Sequence, residues 1–403
     1  MLDQTVPSSF EFNGDVADSS HHLTYSAPAS PCLPAEQDTA IDGVLNAVGK
    51  TPLVKLSRIL SDRVRLYAKL ECFNPGGSAK DRPAKRMIEE ALRSGEINQN
   101  TTIIESSSGN MGVALAQVCG YYGLSFICVV DSRAQSHNVQ IMRALGAHII
   151  CVNNPADGDF LGQRLERVRA LTRAIPDSWW PNQYENLANP QAHQEGTIPE
   201  IIDELGEAPD YLFVATSSTG TARGCQQYLR KQNLHTQVVA VDAVGSVLFG
   251  GHQGDRNIPG LGAGQIPPLA EGQKFDRVER VTDIDCVVGC RRMARREAML
   301  VGGSAGGVME TIHAMESELQ GKTVVAILHD SGTRYLDTIF SDHWVEQRLG
   351  CDLDDLEKRV GKRRQANKRR RIYATGFPNR KVKTRIVHQN HNLSPEEPIK
   401  VIS

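Results

Sequence analysis

A lysine at the start of a predicted helix is the first residue of this chain whose position suggests chemistry. Lys80 lies in the run Asn74–Arg82 (NPGGSAKDR), between a strand-like segment, Leu66–Glu71, and a helix-like segment, Arg82–Ser94. The positive end of a helix dipole disfavours a charged lysine, and burial lowers a lysine pKa further. Such a neutral lysine is a nucleophile or a Schiff-base former. Taken alone, the run is slightly more typical of a glycine-rich turn followed by a solvated lysine.

Three more loops follow predicted strands, at the edge where open α/β sheets bind ligands. The first, Ser106–Gly112, places hydroxyls and backbone N–H groups at a helix N-terminus, which suits a substrate carboxylate. A plain serine helix cap is the alternative for this loop. Its candidate substrate-binding residues are Ser107, Ser108, Gly109 and Met111.

The second and third loops suit a phosphate and a flat ligand. Five of the six small residues in the second loop, TSSTGT, carry hydroxyls, which suits a phosphate, although a ligand-free turn is the alternative. The loop lacks the Gly-Lys-Ser/Thr ending that binds nucleoside triphosphates. The third loop, Val301–Gly307, lets backbone and the Ser304 hydroxyl approach a flat ligand. The candidate ligands in the second loop are Thr216, Ser217, Ser218, Thr219, Gly220 and Thr221.

The composition is that of an ordinary soluble protein long enough for two lobes. The 403 residues are 40% hydrophobic and 23% charged, and the net charge of -2 gives no general attraction to nucleic acid or anionic membranes. Nine scattered cysteines without C-x-x-C spacing favour reduced thiols in the cytoplasm and argue against a metal site. No apolar run is long enough to span a bilayer.

Strand-like and helix-like segments alternate along the chain, which is the signature of an α/β fold. The predicted strands are short apolar runs without strict alternation, which suits parallel strands buried on both faces. Residues 1–40 are polar and predict a disordered extension, and residues 351–403 predict a basic, disordered tail. The predicted strands are Leu66–Glu71, Thr102–Ser106, Phe126–Asp131, His148–Asn153, Tyr211–Thr216, Val238–Ala243 and Thr323–His329. The predicted helices include Met111–Tyr122, Leu161–Ala174 and Cys286–Met299.

A lysine that can form a Schiff base, a phosphate loop and a carboxylate loop are together what pyridoxal 5′-phosphate (PLP) chemistry on an amino acid requires. From Thr51-Pro52 to Asp342 the chain resembles the fold-type II PLP enzymes of the cysteine synthase group. The resemblance implies that Lys80 carries PLP and that Asn110 contacts the PLP hydroxyl. It also implies that Thr216–Thr221 binds the phosphate, that Ser304 faces the pyridine nitrogen and that Gln183 lines the substrate site.

The fold that this resemblance implies has two three-layer α/β/α lobes with mostly parallel sheets, as in the tryptophan synthase β-like fold. Residues 41–82 and 178–350 would form the larger, PLP-binding lobe, and residues 83–177 a smaller mobile lobe that closes over substrate. A homodimer is implied as well.

Within the group, the chain most resembles the siderophore-pathway enzymes that make N-(2-amino-2-carboxyethyl)-L-glutamate, a precursor of 2,3-diaminopropionate. The pieces that carry this likeness include Lys80–Lys85, Val241–Ala243 and Arg334–Asp337. Phe160 stands where those enzymes have a pocket tyrosine, and Arg133 is a candidate contact for a substrate phosphate.

The implied reaction is a β-replacement on O-phospho-L-serine or O-acetyl-L-serine. Lys80 would remove and later return the Cα proton, and L-glutamate is the expected nucleophile. Two alternatives remain: a cysteine synthase that uses sulfide, and an inactive scaffold whose basic tail does the binding.

Overall fold

The computed structural model describes residues 41–152 and 159–361. The described residues form ten strands and eleven α-helices. The strands are β1 Leu53–Leu56, β2 Arg65–Leu70, β3 Thr102–Ser106, β4 Phe126–Asp131, β5 His148–Val152, β6 Ser178–Trp179, β7 Tyr211–Ala215, β8 Gln237–Ala243, β9 Arg277–Val281 and β10 Thr323–Leu328. The helices are α1 Asp81–Ser94, α2 Asn110–Tyr122, α3 Ser136–Ala144, α4 Phe160–Ala174, α5 Ala188–Ala192, α6 Ile198–Leu205, α7 Gly220–Lys231, α8 Asp283–Glu297, α9 Gly303–Ala314, α10 Asp342–Leu349 and α11 Leu353–Val360.

The strands of the described residues form two sheets. The larger sheet has six strands in the order β1-β2-β10-β7-β8-β9, with only β1 antiparallel to its neighbour. The smaller sheet has the order β5-β4-β3-β6, and all its pairings are parallel. The two lobes and their mostly parallel sheets therefore confirm the predicted α/β fold.

The central strands of the larger sheet are buried on both faces. On β7, Phe213 packs into the core on one face of the sheet, while Leu212 and Val214 pack into the core on the other. On β10, Ala326 and Ile327 divide in the same way. Double burial explains why these strands read as continuous apolar runs.

The smaller lobe has its own core beneath its sheet. Helix α1 contributes Met87 and Ile88, helix α2 contributes Leu115, and strand β4 contributes Phe126. Strand β6 pairs with β3 in this sheet, so the sheet extends past residue 177, the predicted end of the smaller lobe.

The predicted disordered tail, 351–403, includes a helix near its start. Residues 353–360 form α11, which packs on α8, and its Leu356 and Val360 are buried in the main core. These apolar residues lie four positions apart on one helix face, which is the spacing that buries an amphipathic helix. Residues 1–40 and the basic run at 362–371 lie outside the described residues.

Within 41–152 and 159–361, none of the helices combines the length and apolar character that crossing a bilayer requires.

Candidate active site

Lys80 is delivered to the carboxyl edge of the larger sheet by backbone contacts with the end of β10. The N–H of Ala79 donates to the carbonyl of His329 at 2.8 Å, and Ser78 pairs with Asp330 in an isolated bridge. Lys80 then directly precedes α1. Burial lowers the pKa of the Lys80 amine, and the nearby carboxylates of Asp330 and Glu71 oppose this shift. Burial at this position therefore favours the neutral form of the amine.

The turn before Lys80 requires glycine. A Cβ on Gly76 would lie 2.7 Å from both carboxylate oxygens of Asp81. Gly77 has a φ of +82°, and a Cβ there would meet the guanidinium of Arg334. The Asp81 carboxylate accepts the Gly76 N–H, and burial raises the Asp81 pKa to about 7. The two glycines thus let the chain turn tightly enough to place Lys80 at the helix start.

The hydroxyl-rich loop joins β7 to α7 and ends at the N-terminus of that helix. Thr219 takes a left-handed conformation with φ 66°, and its Oγ1 is buried without a hydrogen-bond partner among the described residues. The backbone N–H groups of a helix's first turn have no partner within the helix and attract anions. Thr216 does not line the pocket, and its hydroxyl donates to the Val241 carbonyl at 3.0 Å.

A buried histidine supports the end of this loop. The ring nitrogens of His193 lie 2.9 Å from Thr197 Oγ1 and 3.2 Å from Thr221 Oγ1. His193 opens a π-helical turn, His193–Thr197, and π turns occur frequently at functional sites. Burial lowers the pKa of His193 well below the usual value, so its ring is neutral near pH 7.

One pocket gathers most of the predicted site. The predicted residues that line it are Lys80, Asn110, Ser217, Ser218, Thr219, Gly220, Thr221 and Ser304. The remaining lining residues are Ser78, Ala79, Ala215, Pro259, Gly260 and His329. The Lys80 amine, the hydroxyl-rich loop and Ser304 therefore line one cavity.

Asn110 forms hydrogen bonds with two residues of the larger lobe, Asp330 and Arg334. Its amide Nδ2 donates to Asp330 Oδ2 at 2.8 Å, and Arg334 donates to its Oδ1. Arg334 also donates to the Gly76 carbonyl, and Tyr335 donates to Asp330 Oδ2 at 2.5 Å. Asn110 opens a helix of the smaller lobe, so these bonds join the two lobes at the pocket.

The other residues of the predicted carboxylate loop do not line this pocket. Ser107 Oγ accepts the N–H of Gly112, in the first turn of α2, at 3.0 Å. Met111 packs in the core of the smaller lobe, and Gly109 is the residue that precedes α2. Ser108 Oγ accepts from Arg164 at 3.2 Å. The substrate contacts assigned to these residues remain predictions.

Gln183 is held by its backbone. Its N–H donates to Glu105 Oε2 at 3.2 Å, and its carbonyl accepts from Asn189 at 2.7 Å. Burial raises the pKa of the Glu105 carboxyl to about 7, although Trp180 also donates to it at 3.0 Å. Gln183 is buried but is not among the residues that line the pocket.

Three arginines flank the region between the lobes. The Arg133 guanidinium lies 3.6 Å from the centre of the Phe160 ring, in cation–π geometry. Arg164 lies 3.2 Å from Asp131. Arg256 belongs to the segment that carries Pro259 and Gly260 to the pocket, and its Nε is buried without a partner among the described residues. Burial lowers the pKa of Arg256, the carboxylates of Asp242 and Asp283 oppose this shift, and the charge of Arg133 adds to it, so the two cations lie within each other's field.

Among the polar residues in or beside the site, His193, His329 and Asp330 had no role assigned from the sequence. His329 ends a predicted strand and Asp330 follows it directly at the ligand-binding edge, and this position is the signal that could have found them. His193 offered no comparable signal, because it lies within a helical segment far along the chain from Thr221.

Solved structures of similar proteins cover most of this chain. An O-acetylserine-dependent cystathionine β-synthase from Helicobacter pylori is 36% identical with a TM-score of 0.69, and the match covers 74% of this chain and 98% of that one. A hydrogen sulfide-producing enzyme from Fusobacterium nucleatum is 31% identical with a TM-score of 0.69, over 73% of this chain and 99% of its own. An O-ureido-L-serine synthase is 27% identical with a TM-score of 0.69, over 78% of this chain and 98% of its own.

A family model provides the same assignment independently of any single structure. The model described as "Pyridoxal-phosphate dependent enzyme" matches residues 44–330, a span that contains the lysine turn, the hydroxyl loop, Ser304 and His329. With this match, the two-lobed fold and the shared pocket, the chain belongs to the pyridoxal-phosphate dependent enzyme family.

Proposed function

We propose that this protein catalyses a PLP-dependent β-replacement on O-phospho-L-serine or O-acetyl-L-serine, with L-glutamate as the nucleophile. The product would be N-(2-amino-2-carboxyethyl)-L-glutamate, a precursor of 2,3-diaminopropionate. The observation that carries the reaction type is the single pocket that holds Lys80, the hydroxyl loop and Ser304.

The residues of the pocket fit PLP. Lys80 has a lowered pKa and can hold an aldehyde covalently. The hydroxyl loop ends at a helix N-terminus and contains the unpartnered Thr219 hydroxyl, which suits a phosphate. Ser304 would face the ring nitrogen. When bound, PLP supplies the electron sink for the negative charge that develops at the substrate Cα.

The chain's own residues then have distinct tasks. The freed amine of Lys80 removes the proton from the substrate Cα and later returns it, and a lowered pKa suits both steps near neutral pH. A hydroxyl at position 304 would leave the ring nitrogen largely unprotonated, which favours loss of the Cβ leaving group over other fates of the charge. Asn110, on the smaller lobe, would hold the ring hydroxyl.

The solved relatives support an activated serine as the donor. One is described as O-acetylserine dependent, and another makes and binds O-ureido-L-serine. These descriptions belong to those proteins, but all of them share the fold of this chain at 27–36% identity.

The arginines between the lobes support a nucleophile with carboxylates. Arg133 comes from the smaller lobe and Arg256 from the segment that reaches the pocket. Asp242 and Asp283 already act on the charge of Arg256, and a substrate carboxylate between Arg256 and Arg133 would further reduce the repulsion between these two cations. Glutamate brings two carboxylates, whereas sulfide needs only a narrow channel. Arg133 would also suit the phosphate of O-phospho-L-serine.

The test is a matrix of two donors and several nucleophiles. Purified protein is incubated with O-phospho-L-serine or O-acetyl-L-serine together with glutamate, aspartate or sulfide, and products are identified by mass spectrometry. We expect a new C–N bond with glutamate. If sulfide alone gives product, the protein is a cysteine synthase and the proposed nucleophile is wrong. A colourless protein that takes up no PLP would instead favour the inactive scaffold.

Charge-removing variants locate the nucleophile site. Arg256→Gln should raise the KM for glutamate about tenfold or more, because a charged hydrogen bond is lost. Arg133→Gln tests the same site from the smaller lobe. Arg143→Gln, at an exposed position of α3, is the matched control and should leave the KM unchanged. Equal KM values for all three variants would show that Arg133 and Arg256 do not bind glutamate.

We also propose a homodimer in the cytoplasm. All eight cysteines in the described residues are free thiols, which suits a reducing compartment. Ile41, Val44 and Tyr121 are exposed and supply an apolar surface. They are neighbours, because the Tyr121 hydroxyl lies beside Gly43, between Ile41 and Val44 in the chain. Size-exclusion chromatography with light scattering measures the mass in solution, and the mass of a monomer would contradict the proposed homodimer.

A further inference from the structure

One imidazole in the pocket has no assigned task. His329 follows β10 directly, and only 8% of its surface is exposed. Both of its ring nitrogens are buried without a hydrogen-bond partner among the described residues. The Ile327 backbone opposes the lowering of the His329 pKa, but neither ring nitrogen forms a geometric hydrogen bond with it.

An unpartnered buried imidazole is costly in a folded protein. Burying a polar group without a hydrogen bond destabilises the fold, and most buried side-chain polar atoms in proteins have a partner. His329 is not enclosed in an apolar core, because it lines the same pocket as Lys80, Asn110 and Ser304. The missing partner therefore belongs to whatever occupies that pocket.

The position of His329 favours the cofactor as that partner. Its carbonyl holds Ala79, the residue before Lys80, and the charge of Lys80 acts on its ring. Ser304 comes from α9, which packs against β10. Any group bonded to the Lys80 amine therefore shares a small cavity with the His329 imidazole. A neutral imidazole has one N–H donor and one acceptor, and a ring hydroxyl has two lone pairs, so it can accept from His329 as well as bond Asn110.

We propose that His329 contacts PLP directly through a hydrogen bond from its neutral imidazole and is a further cofactor-binding residue of this enzyme. Burial, followed by the charge of Lys80, lowers the pKa of His329 to about 3, so the ring stays neutral across the working range. The proposal rests on the cofactor and not on the choice of nucleophile.

The test compares apo and PLP-loaded full-length protein for three variants. His329→Phe keeps a ring but removes both nitrogens, His329→Gln keeps a donor and an acceptor, and His235→Phe changes an exposed histidine as the control. PLP affinity is measured by titrating apo protein and following the visible absorbance of the bound cofactor. Thermal midpoints are measured on the apo forms.

A ligand contact predicts effects of opposite sign. His329→Phe should weaken PLP binding about tenfold and shift the visible band, because one hydrogen bond is lost. The same variant should leave the apo midpoint unchanged or raise it, because two unpartnered buried nitrogens are removed. His329→Gln should restore most of the affinity, and His235→Phe should match the wild type.

Two results would overturn the proposal. One is wild-type affinity and an unshifted band in His329→Phe. The other is an apo midpoint lowered by several degrees with unchanged affinity, which would make the imidazole a packing residue. If neither variant folds, ¹⁵N resonances of the wild-type imidazole decide, since they should move when PLP is added, and unmoved resonances would contradict the contact. None of these readouts involves the nucleophile, so they stand apart from the donor and nucleophile assay.

Discussion

Two buried polar clusters lie on either side of the Lys80 turn and are satisfied to very different degrees. In the first, the paired cluster, Arg82 bonds both oxygens of Glu71 and both oxygens of Glu200 at 2.7–2.8 Å. Lys69 and Thr51 complete this cluster, with Lys69 donating to the Thr51 carbonyl at 2.6 Å. In the second, the pocket cluster of Lys80, Asn110, His329, Asp330 and Tyr335, both His329 nitrogens and Asp330 Oδ1 have no partner among the described residues.

The difference separates structural polarity from functional polarity. Arg82 is buried, its guanidinium donates to Glu71, Glu200 and Thr51, and the cluster ties β2, α1 and α6 together. The pocket cluster carries unused hydrogen-bonding capacity at the edge where a ligand binds. Between these two clusters, the unsatisfied buried groups distinguish the one at the pocket, whereas charge and burial alone would have pointed equally to both.

The largest expected effect is the loss of the cofactor's visible band in Lys80→Ala. This variant should lose function but keep its fold, because burial already disfavours the charged form of Lys80 and removing the amine removes that cost. We expect a colourless protein, activity lower by at least about 10³-fold, and an apo midpoint at or above that of the wild type. Absorbance, turnover and thermal unfolding measure the three quantities. A variant that keeps the band would exclude Lys80 as the residue that carries PLP.

The paired cluster should behave in the opposite way. Arg82→Met leaves Glu71 buried and unpaired, and breaking a buried ion pair from one side costs about 3–5 kcal/mol. Urea denaturation should show this loss in the free energy of unfolding. Arg93→Met, at an exposed position of the same helix, is the control and should change it by less than about 0.5 kcal/mol. A small effect in Arg82→Met would contradict the structural role of the cluster.

Acid should affect the pocket cluster first. The folded-state pKa of His329 is about 3, below the usual 6.5, so the unfolded chain binds the extra proton as the pH falls from 6.5 toward 3, and stability is lost over that window. Hydrogen bonds from Arg82 hold the pKa of Glu200 at about 2 against the opposing effect of burial, so its contribution is lost only between 4.5 and 2.

This difference is measured against a variant. Glu105 and Asp81 have raised pKa values and act in the opposite direction, but they are the same in wild type and His329→Phe. Between pH 7 and pH 5 the free energy of unfolding of the wild type should therefore fall by about 2 kcal/mol more than that of His329→Phe. Parallel pH profiles would contradict the assignment.

The smallest expected effect is that of Tyr335→Phe. Tyr335 donates to Asp330 Oδ2, which still accepts from Asn110 when the hydroxyl is removed. We expect a loss of about 1 kcal/mol in the free energy of unfolding. Tyr228→Phe, which removes a hydroxyl from the half-buried face of α7, is the control and should be neutral. If Tyr335→Phe is as stable as the control variant, the Tyr335 hydroxyl does not stabilise the pocket cluster.

The sequence predicts the strands well where burial on both faces leaves an apolar run with clear ends. Thr102–Ser106 and Phe126–Asp131 are confirmed residue for residue. The two-residue strand β6 and the helix α3 have no such pattern, because each owes its conformation to neighbours in the lobe. Helix α11 was missed because the basic run that follows it dominates the local composition, although Leu356 and Val360 carried the helical signal.

The sequence predicts the positions of the site residues along the chain but not the directions of their side chains. Local sequence places the Lys80 turn, the hydroxyl loop and Ser304 after strands and at helix starts, and the topology then brings them together. It does not say which way a side chain points. Thr216 and Met111 face the sheet and the core, and His329 faces the pocket, because of contacts with residues far away in the chain.

Asn110 joins the two lobes and keeps hydrogen-bonding capacity for a ligand. Its carbonyl oxygen accepts from Arg334 and one amide N–H donates to Asp330, so a second N–H and a second lone pair are left for a ligand. Arg334 also holds the Gly76 carbonyl in the lysine turn, so one guanidinium ties Asn110 to that turn. A ligand that bonds the Asn110 amide adds a contact to the smaller lobe at the point where that lobe meets the larger one, so occupancy of the pocket and the position of the smaller lobe are thermodynamically linked.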